Sequence, residues 1–475
     1  HLPQTREGEA RERLWQVRAN RVILATGAIE RPLVFPGNDR PGIMLSSAAR
    51  TYLNRQGVLV GKSVVLFTSD DAAYQTAIDL HHAGATIIAI ADLRDNPDGA
   101  GVEQARQLGL PIFPSHVVVE TFGRLRINAA ALGRIGADGT VTPIRVENCD
   151  TLLMSGGFTP SVHLFSQSRG KLAYDPVRQI YIPGQSAQNE SSIGAASGTF
   201  NLQESLNQGF TEGCRAAKAA GFEAAVPATS QVKGDVPSTA GFSGAVPRPN
   251  NGHFGKAFVD FQNDVLSSDI IAATREGFKS IEHVKRYTTT GMATDQGKTS
   301  NMNTLALAAQ ALGRQIPDVG LTTFRMPYTP VTFGSIAGHA RGDLFDPIRK
   351  TVIHDWAEAQ GAILENVALW KRAWYFPKHG ESMHQAVRRE CLTVRSKAGL
   401  FDASTLGKIE IVGPDASEFL NRLYTNSWNN LPVGRCRYGL MLNEQGFVMD
   451  DGVIGRLAQD RFHVTTTTGG ACLLY

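Results

Sequence analysis

Apolar residues fall into two rhythms along this chain. Residues 62–67, 86–91 and 151–158 are largely apolar runs, and 15–25 ends in the apolar run Val-Ile-Leu-Ala before Thr26-Gly27; all four predict buried strands. Between 62–67 and 86–91, residues 72–83 carry apolar side chains at helical spacing, so a βαβ unit is expected within 61–150. A glycine turn and a helix follow at 192–209. From 225 to 255 Pro, Gly, Ser and Thr dominate, as in a linker, with Asn250-Asn251-Gly252 near its end. The helical rhythm then takes over: a run opening at 258–265, a helix of about 270–278 capped by 267–269, another from 280, and a third near 302–312. Residues 322–338 are proline-broken, aromatic and nearly uncharged, which suits a segment lying against other protein. The last hundred residues predict a helix near 382–398, a strand at 409–412, a helix at 414–424, a hairpin at 438–453 and a closing strand at 461–468.

The hairpin carries the sharpest chemistry. Residues 440–442 form its first strand, Gln445-Gly446 the turn, and 447–449 begin a return strand bearing Asp450 and Asp451. Neighbouring side chains on a strand point to opposite faces, so one Asp faces solvent and the other the interior. An enclosed carboxylate can grip an N–H donor or take a proton. The pattern alone equally allows two exposed strand-end aspartates.

Composition narrows the class. A chain of 475 residues exceeds one core and suggests about three domains. A net charge of +3, with no basic run interleaved with aromatics, argues against nucleic acid as a partner. Cys149, Cys214, Cys391, Cys436 and Cys472 have no metal-ligand spacing, so no metal is expected and the compartment is expected to be reducing and cytoplasmic. His283, His379 and His384 read as ordinary polar residues. No apolar run reaches the ~18 residues of a membrane span. The start shows neither Met nor signal peptide and begins in the middle of an element, and the end stops just after a strand, so a piece of a longer protein is expected.

Some stretches resemble known families. Thr26-Gly27-Ala28 after a strand, with Arg31-Pro32 and Pro36-Gly37 beyond, is similar to the "ATG" segment of two-dinucleotide-binding-domain flavoproteins. There the glycine lets the backbone approach a dinucleotide. The resemblance makes Gly27, Ala28, Gly194 and Gly198 candidate NAD contacts, with the helix after 194–198 aimed at pyrophosphate. The βαβ turn lacks the G-x-G-x-x-G glycines: Thr68, Asp70 and Ala73 stand there, and Asp70 and Asp71 would repel pyrophosphate. Asp92 is then structural.

Residues 285–301 are dense in cations, hydroxyls and glycines before a helix. They read either as a polar interhelix loop or as a phosphate site. In amine-oxidising flavoproteins the module at this place carries cysteines for a two-iron cluster. No Cys occurs from 215 to 390, so the cluster is excluded, and the resemblance leaves the module either to hold a flavin phosphate or to pack on a partner. Lys285, Arg286, Thr288, Thr289, Gly291, Lys298 and Thr299 are the candidates. Gly399-Leu400-Phe401-Asp402-Ala403-Ser404, Met441-Leu442-Asn443-Glu444 and Asp450-Asp451 resemble the aminomethyltransferase fold of glycine cleavage.

The order of parts, with Arg286–Asn301 and Cys436–Leu442, resembles the α subunits of the heterotetrameric sarcosine oxidase family. The fold class implied is α/β and α+β multidomain. Its parts are a Rossmann-like dinucleotide-binding half (1–224), a linker (225–255), a helical module (256–320), a crossing segment (321–365) and a truncated aminomethyltransferase-like folate-binding domain (366–475). The resemblance implies oxidative demethylation of sarcosine to glycine, hydrogen peroxide and 5,10-methylenetetrahydrofolate. It also implies FAD in a partner β subunit, FMN shared with that subunit, NAD in this chain, and γ and δ subunits. Asp450 or Asp451 would be catalytic, and Tyr438, Met441, Thr467 and Thr468 would line the folate. The alternatives are an enzyme like dimethylglycine or amine dehydrogenase, and a non-catalytic degenerate fragment.

Overall fold

The computed structural model describes residues 12–228, 231–250 and 255–471. The chain start, the Asn251-Gly252 part of the linker turn and Cys472 lie outside the described residues. Two compact units are present: Trp15–Val331, and Thr332–Tyr475 together with His1–Leu14.

The larger unit is built on a parallel sheet. Its strands lie in the order Ile43–Leu45, Thr151–Ser155, Ser63–Thr68, Thr86–Asp92 and Ile112–Pro114. Alternation along Ser63–Thr68 supplies both faces. Val64 and Leu66 pack toward Tyr74, Ile78 and Leu80 of the helix Ala72–His82, while Val65 and Phe67 pack toward Val117, Ala130 and Leu132. Those last residues belong to an antiparallel meander, His116–Phe122, Ala129–Ile135 and Val141–Asn148. A sheet covered on both sides explains why its strands read as continuous apolar runs rather than alternating ones.

Several expectations change. The apolar run at 15–25 gives only the strand Val22–Leu24, and Trp15 and Val17 are exposed. The run at 258–265 is not helical: Phe258–Asp260 pairs antiparallel with Val265–Leu266, because Asp260 accepts the N–H groups of Gln262 and Asn263 and turns the chain. The helix Ser267–Arg275 follows, its start fixed by Asp269 accepting Leu266 N–H at 2.9 Å.

The stretch expected as a linker is not free chain. Thr239 N–H and Ala240 N–H donate to Asp70 at 2.9 and 3.3 Å, and the Thr239 hydroxyl donates to Asp71 at 2.6 Å. Asp235 accepts Leu202 N–H, at the start of the helix Leu202–Ala219, at 2.6 Å. Asp92 is structural, as expected: it is fully buried, accepts from Tyr74 OH and pairs with Arg94.

Two buried ions hold this unit. Arg31 is 1% exposed and pairs with no carboxylate among the described residues; its guanidinium donates to the carbonyls of Gly156, Arg178 and Gln179, and burial pulls it down to about 10. Glu30 accepts Ser47 N–H at 2.8 Å and Ser47 Oγ–H at 2.6 Å, serving an orphan amide in the first turn of the helix Ser46–Gln56.

Burial pushes Glu30 up to about 7 from an ordinary 4.5, against the Ser47 bonds, and nearby Asp70 adds to the rise. A carboxyl raised by folding binds its proton more tightly in the folded state. Its contribution is therefore most favourable below pH 4.5 and is lost as pH climbs through about 7. The loss is on the order of 3 kcal/mol. Urea unfolding at pH 5 and pH 8 should show the wild type weakening with rising pH and Glu30→Gln weakening distinctly less. An unchanged slope in Glu30→Gln contradicts this assignment.

Candidate functional site

The smaller unit contains a four-stranded antiparallel sheet in the order Gly407–Val412, Arg461–Thr466, Val448–Ala458 and Cys436–Leu442. The helix Ala416–Leu423 covers one face. Leu420, Tyr424, Trp428, Ile454, Phe462 and Val464 form the core there.

The return strand of the hairpin divides the two aspartates. Asp450 is 4% exposed and sits opposite Met441; Asp451 sits opposite Leu440 and is half-buried. Asp450 belongs to the core face with Ile454, four residues on. Thr467 N–H is shared between its two oxygens, at 3.2 and 3.3 Å. Gly470 closes over it: a Cβ there would stand 2.5 Å from Asp450 Oδ2. Tyr424, bridged to Met441 and near Asp450, has its phenol pushed up by burial and then by that carboxylate.

Asp451 is on the other face and accepts the hydroxyl of exposed Tyr438. That bond and the adjacent charge raise the Tyr438 phenol. The four residues expected around folate therefore do not form one group. Met441 and Thr467 accompany Asp450, Tyr438 accompanies Asp451, and the Thr468 hydroxyl meets Thr405 Oγ1 at 3.1 Å. Tyr438 and Met441 are three apart on one strand, which sends them to opposite faces. The closing strand also stops at Thr466, leaving Thr467 and Thr468 beyond it, where Thr467 N–H is free of the ladder and can reach Asp450.

The nucleotide candidates lie in the larger unit. Gly27 has φ +72° with open space where a Cβ would stand, and its carbonyl accepts Ser161 N–H. Ala28 is paired with Pro160 in a short ladder. Gly194 and Gly198 have φ of +63° and +83° around a 3-10 turn, and Gly194 N–H is taken by Gln208 at 2.8 Å. The helix that follows is capped at its start by Asn201, which accepts Glu204 N–H, and by Asp235 on Leu202 N–H. The amides expected to face pyrophosphate are thus engaged by the chain's own oxygens.

The polar loop changes in the same way. Lys285 and Arg286 are not at a helix start but in the last turn of the helix Ile281–Thr288, whose dipole disfavours an anion. Lys285 is buried and donates to Thr323 O at 3.1 Å; Lys298 donates to Tyr328 O at 3.1 Å. Gly291 N–H is held by Asp260 at 2.7 Å. Thr288 Oγ1 donates to Val284 O and Thr289 Oγ1 to Thr288 O. Arg286 and Thr289 are exposed, and Thr299 is half-buried. Much of this loop serves to stitch down residues 322–328, together with Gln296, which donates to Arg325 O and Pro327 O and accepts Arg325 N–H.

The sequence pattern did not single out His354, Asp355 and Glu358, whose possible ligand atoms lie within 4.8 Å of one another. They sit on a helix of six residues, His354 Nε2 is 3.8 Å from Glu358, and Lys350 lies 3.8 Å from Asp355.

Two family models match: the GCVT N-terminal domain over residues 353–473 and the sarcosine oxidase A3 domain over 254–339. The sarcosine oxidase subunit alpha of Corynebacterium sp. (strain P-1) is 46% identical over 473 residues, 98% of this chain and 48% of that protein. The chain is a relative of the sarcosine oxidase alpha subunits. The alpha subunit from Rhizobium meliloti (strain 1021) is 44% identical over 97% of the chain and 45% of its own length. The chain thus spans about half the length of these alpha subunits. Among solved structures, L-proline dehydrogenase from P. horikoshii is 20% identical, covering 67% of this chain and 58% of its own, with a TM-score of 0.48. Among the described residues no helix is long and apolar enough to cross a membrane.

The close approach of Gly470 to Asp450 makes a local prediction. Gly470→Ala should displace the carboxylate or the turn at a cost of roughly 1–3 kcal/mol. Chemical denaturation should show that loss confined to the smaller unit, and an unchanged stability would mean the turn yields freely.

Proposed function

We propose that this chain is the α-type component of a sarcosine-oxidising assembly and that its folate chemistry centres on Asp450. One observation carries the folate assignment. Asp450 is a buried carboxylate whose two oxygens share a single backbone N–H, inside the segment matched by the GCVT N-terminal domain. Acceptor capacity left over on a buried carboxylate favours an N–H donor brought by a ligand.

The overall reaction in this proposal takes sarcosine, oxygen and tetrahydrofolate to glycine, hydrogen peroxide and 5,10-methylenetetrahydrofolate. Oxidation of the amine belongs to FAD in a β partner, with FMN shared between the two subunits, and γ and δ subunits complete a cytoplasmic heterotetramer. Work in this chain begins with the protonated imine of glycine. A folate nitrogen forms a C–N bond to the imine carbon, and the second folate nitrogen then displaces glycine from that carbon. Both folate N–H protons end on the departing amine, which leaves as the ammonium group. Asp450 accepts the first of these protons and returns it. Met441, directly opposite, offers an adaptable apolar contact, and Gly470 leaves the room that the carboxylate uses.

The other cofactors fit this chain less fully. A flavin phosphate would find exposed Arg286 and Thr289, whereas Lys285 and Lys298 are bound to carbonyls. NAD pyrophosphate does not fit the two helix starts considered above: Asp70 and Asp71 occupy one, and Asp235 and Asn201 serve the other.

Co-expression with a FAD-bearing partner should give a complex that turns over sarcosine; an inactive complex overturns the α-type assignment. In the active complex Asp450→Asn should lower methylenetetrahydrofolate formation about 100-fold while peroxide formation holds. Asp451→Asn should leave both within about twofold, its carboxylate serving Tyr438 instead. Equal loss of both products in Asp450→Asn would make that residue structural.

A further inference from the structure

Within Trp15–Val331 there is a cavity of about 560 Å³. This volume lies in the range of sites for small organic molecules, roughly 300–1,000 Å³. Residues 159–162 and 166–172 form one wall, the start of the helix Asn301–Leu312 a second, and residues 321–324 with Tyr328 a third. Most of the surface is apolar, supplied by Ile29, Leu172, Met302, Leu305, Leu321 and Phe324.

Three buried polar atoms of the lining residues have no partner among the described residues. Tyr181 lines the cavity, is only 7% exposed, and its hydroxyl has no hydrogen-bond partner among the described residues. Gln167 Nε2 and Asn301 Oδ1, also from the lining, are buried in the same state. Each of these three atoms has almost no accessible surface, so they lie behind the wall and not on the free volume.

The charge of an occupant follows from the lining. Lys171 and Lys298 are its charged residues, and no described carboxylate lines it. Lys298 gives one N–H to Tyr328 O at 3.1 Å and stands 4.4 Å from the centre of the Tyr328 ring, leaving two donors. Tyr328 is itself stacked on His163 at 3.6 Å, and Phe324 meets it edge-on at 5.0 Å, so an aromatic wall stands beside the cation.

We propose that this cavity binds an aromatic carboxylate, with Lys298 receiving the carboxylate and the ring lying against the apolar wall. The assignment is independent of the folate chemistry, since every residue in it belongs to the larger unit.

Calorimetric titration of the full chain with 1-naphthoate and with uncharged 1-naphthamide tests it. Naphthoate should bind saturably at one site, at least tenfold more tightly than the amide. Lys298→Met should erase that preference. Leu305→Trp, which fills the cavity, should abolish binding of both. Thermal melts followed by circular dichroism identify any variant that fails to fold, and Lys298→Met then decides alone. Absence of saturable binding at millimolar naphthoate, equal binding of acid and amide, or indifference to Lys298→Met overturns the proposal.

Discussion

A β-strand can give only one of two adjacent carboxylates to an interior, and the candidate folate site depends on that constraint. The ladder between Cys436–Leu442 and Val448–Ala458 places Asp450 opposite Met441 and Asp451 opposite Leu440. A shift by one residue would exchange them and send Ile454 out of the core. The register is held on the far side as well, where Ile454 pairs with Val464 and the backbone of Gly452 comes against Thr465. Burial of Ile454, Phe462 and Val464 therefore sets the position of a carboxylate whose own hydrogen bonding is slight.

The larger unit shows the opposite economy of charge. Several of its carboxylates are engaged by its own backbone. Asp70 accepts amides from residues 239 and 240, Asp235 accepts one from the helix Leu202–Ala219, and Asp260 accepts from Gly291. Each stands where an anion could otherwise meet backbone N–H groups, and each is supplied by the chain. Internal acids thus serve amides at a helix start and in loops of this unit.

The periodicity of the sequence disclosed the parallel sheet well, because strands buried on both faces leave continuous apolar runs: Ser63–Thr68, Thr86–Asp92 and Thr151–Ser155 are all present. It failed where local turn chemistry competes with periodicity. Asp260 converts an apparent helix opening into a tight strand pair, and the same residue takes the amide of Gly291 thirty-one residues away. The packed course of residues 235–246 was hidden because Pro, Gly and Ser composition reports flexibility of the isolated chain, not which carboxylates it will meet. In the candidate site, the alternation of Asp450 and Asp451 was legible but its direction was not. That direction depends on pairing with Arg461–Thr466, a strand ten residues further along. Grouping Tyr438 with Met441 failed on parity alone, a test that the sequence did permit.

The central claim is that Asp450, and not Asp451, is the carboxylate a folate meets. Calorimetric binding of 5-formyltetrahydrofolate to the assembled enzyme tests it most directly, because affinity is read apart from turnover. Loss of a charged hydrogen bond corresponds to about 1.5–3 kcal/mol. Asp450→Asn should therefore bind at least tenfold more weakly than wild type, with Asp451→Asn unchanged. Weakening in Asp451→Asn with wild-type affinity in Asp450→Asn would contradict the account.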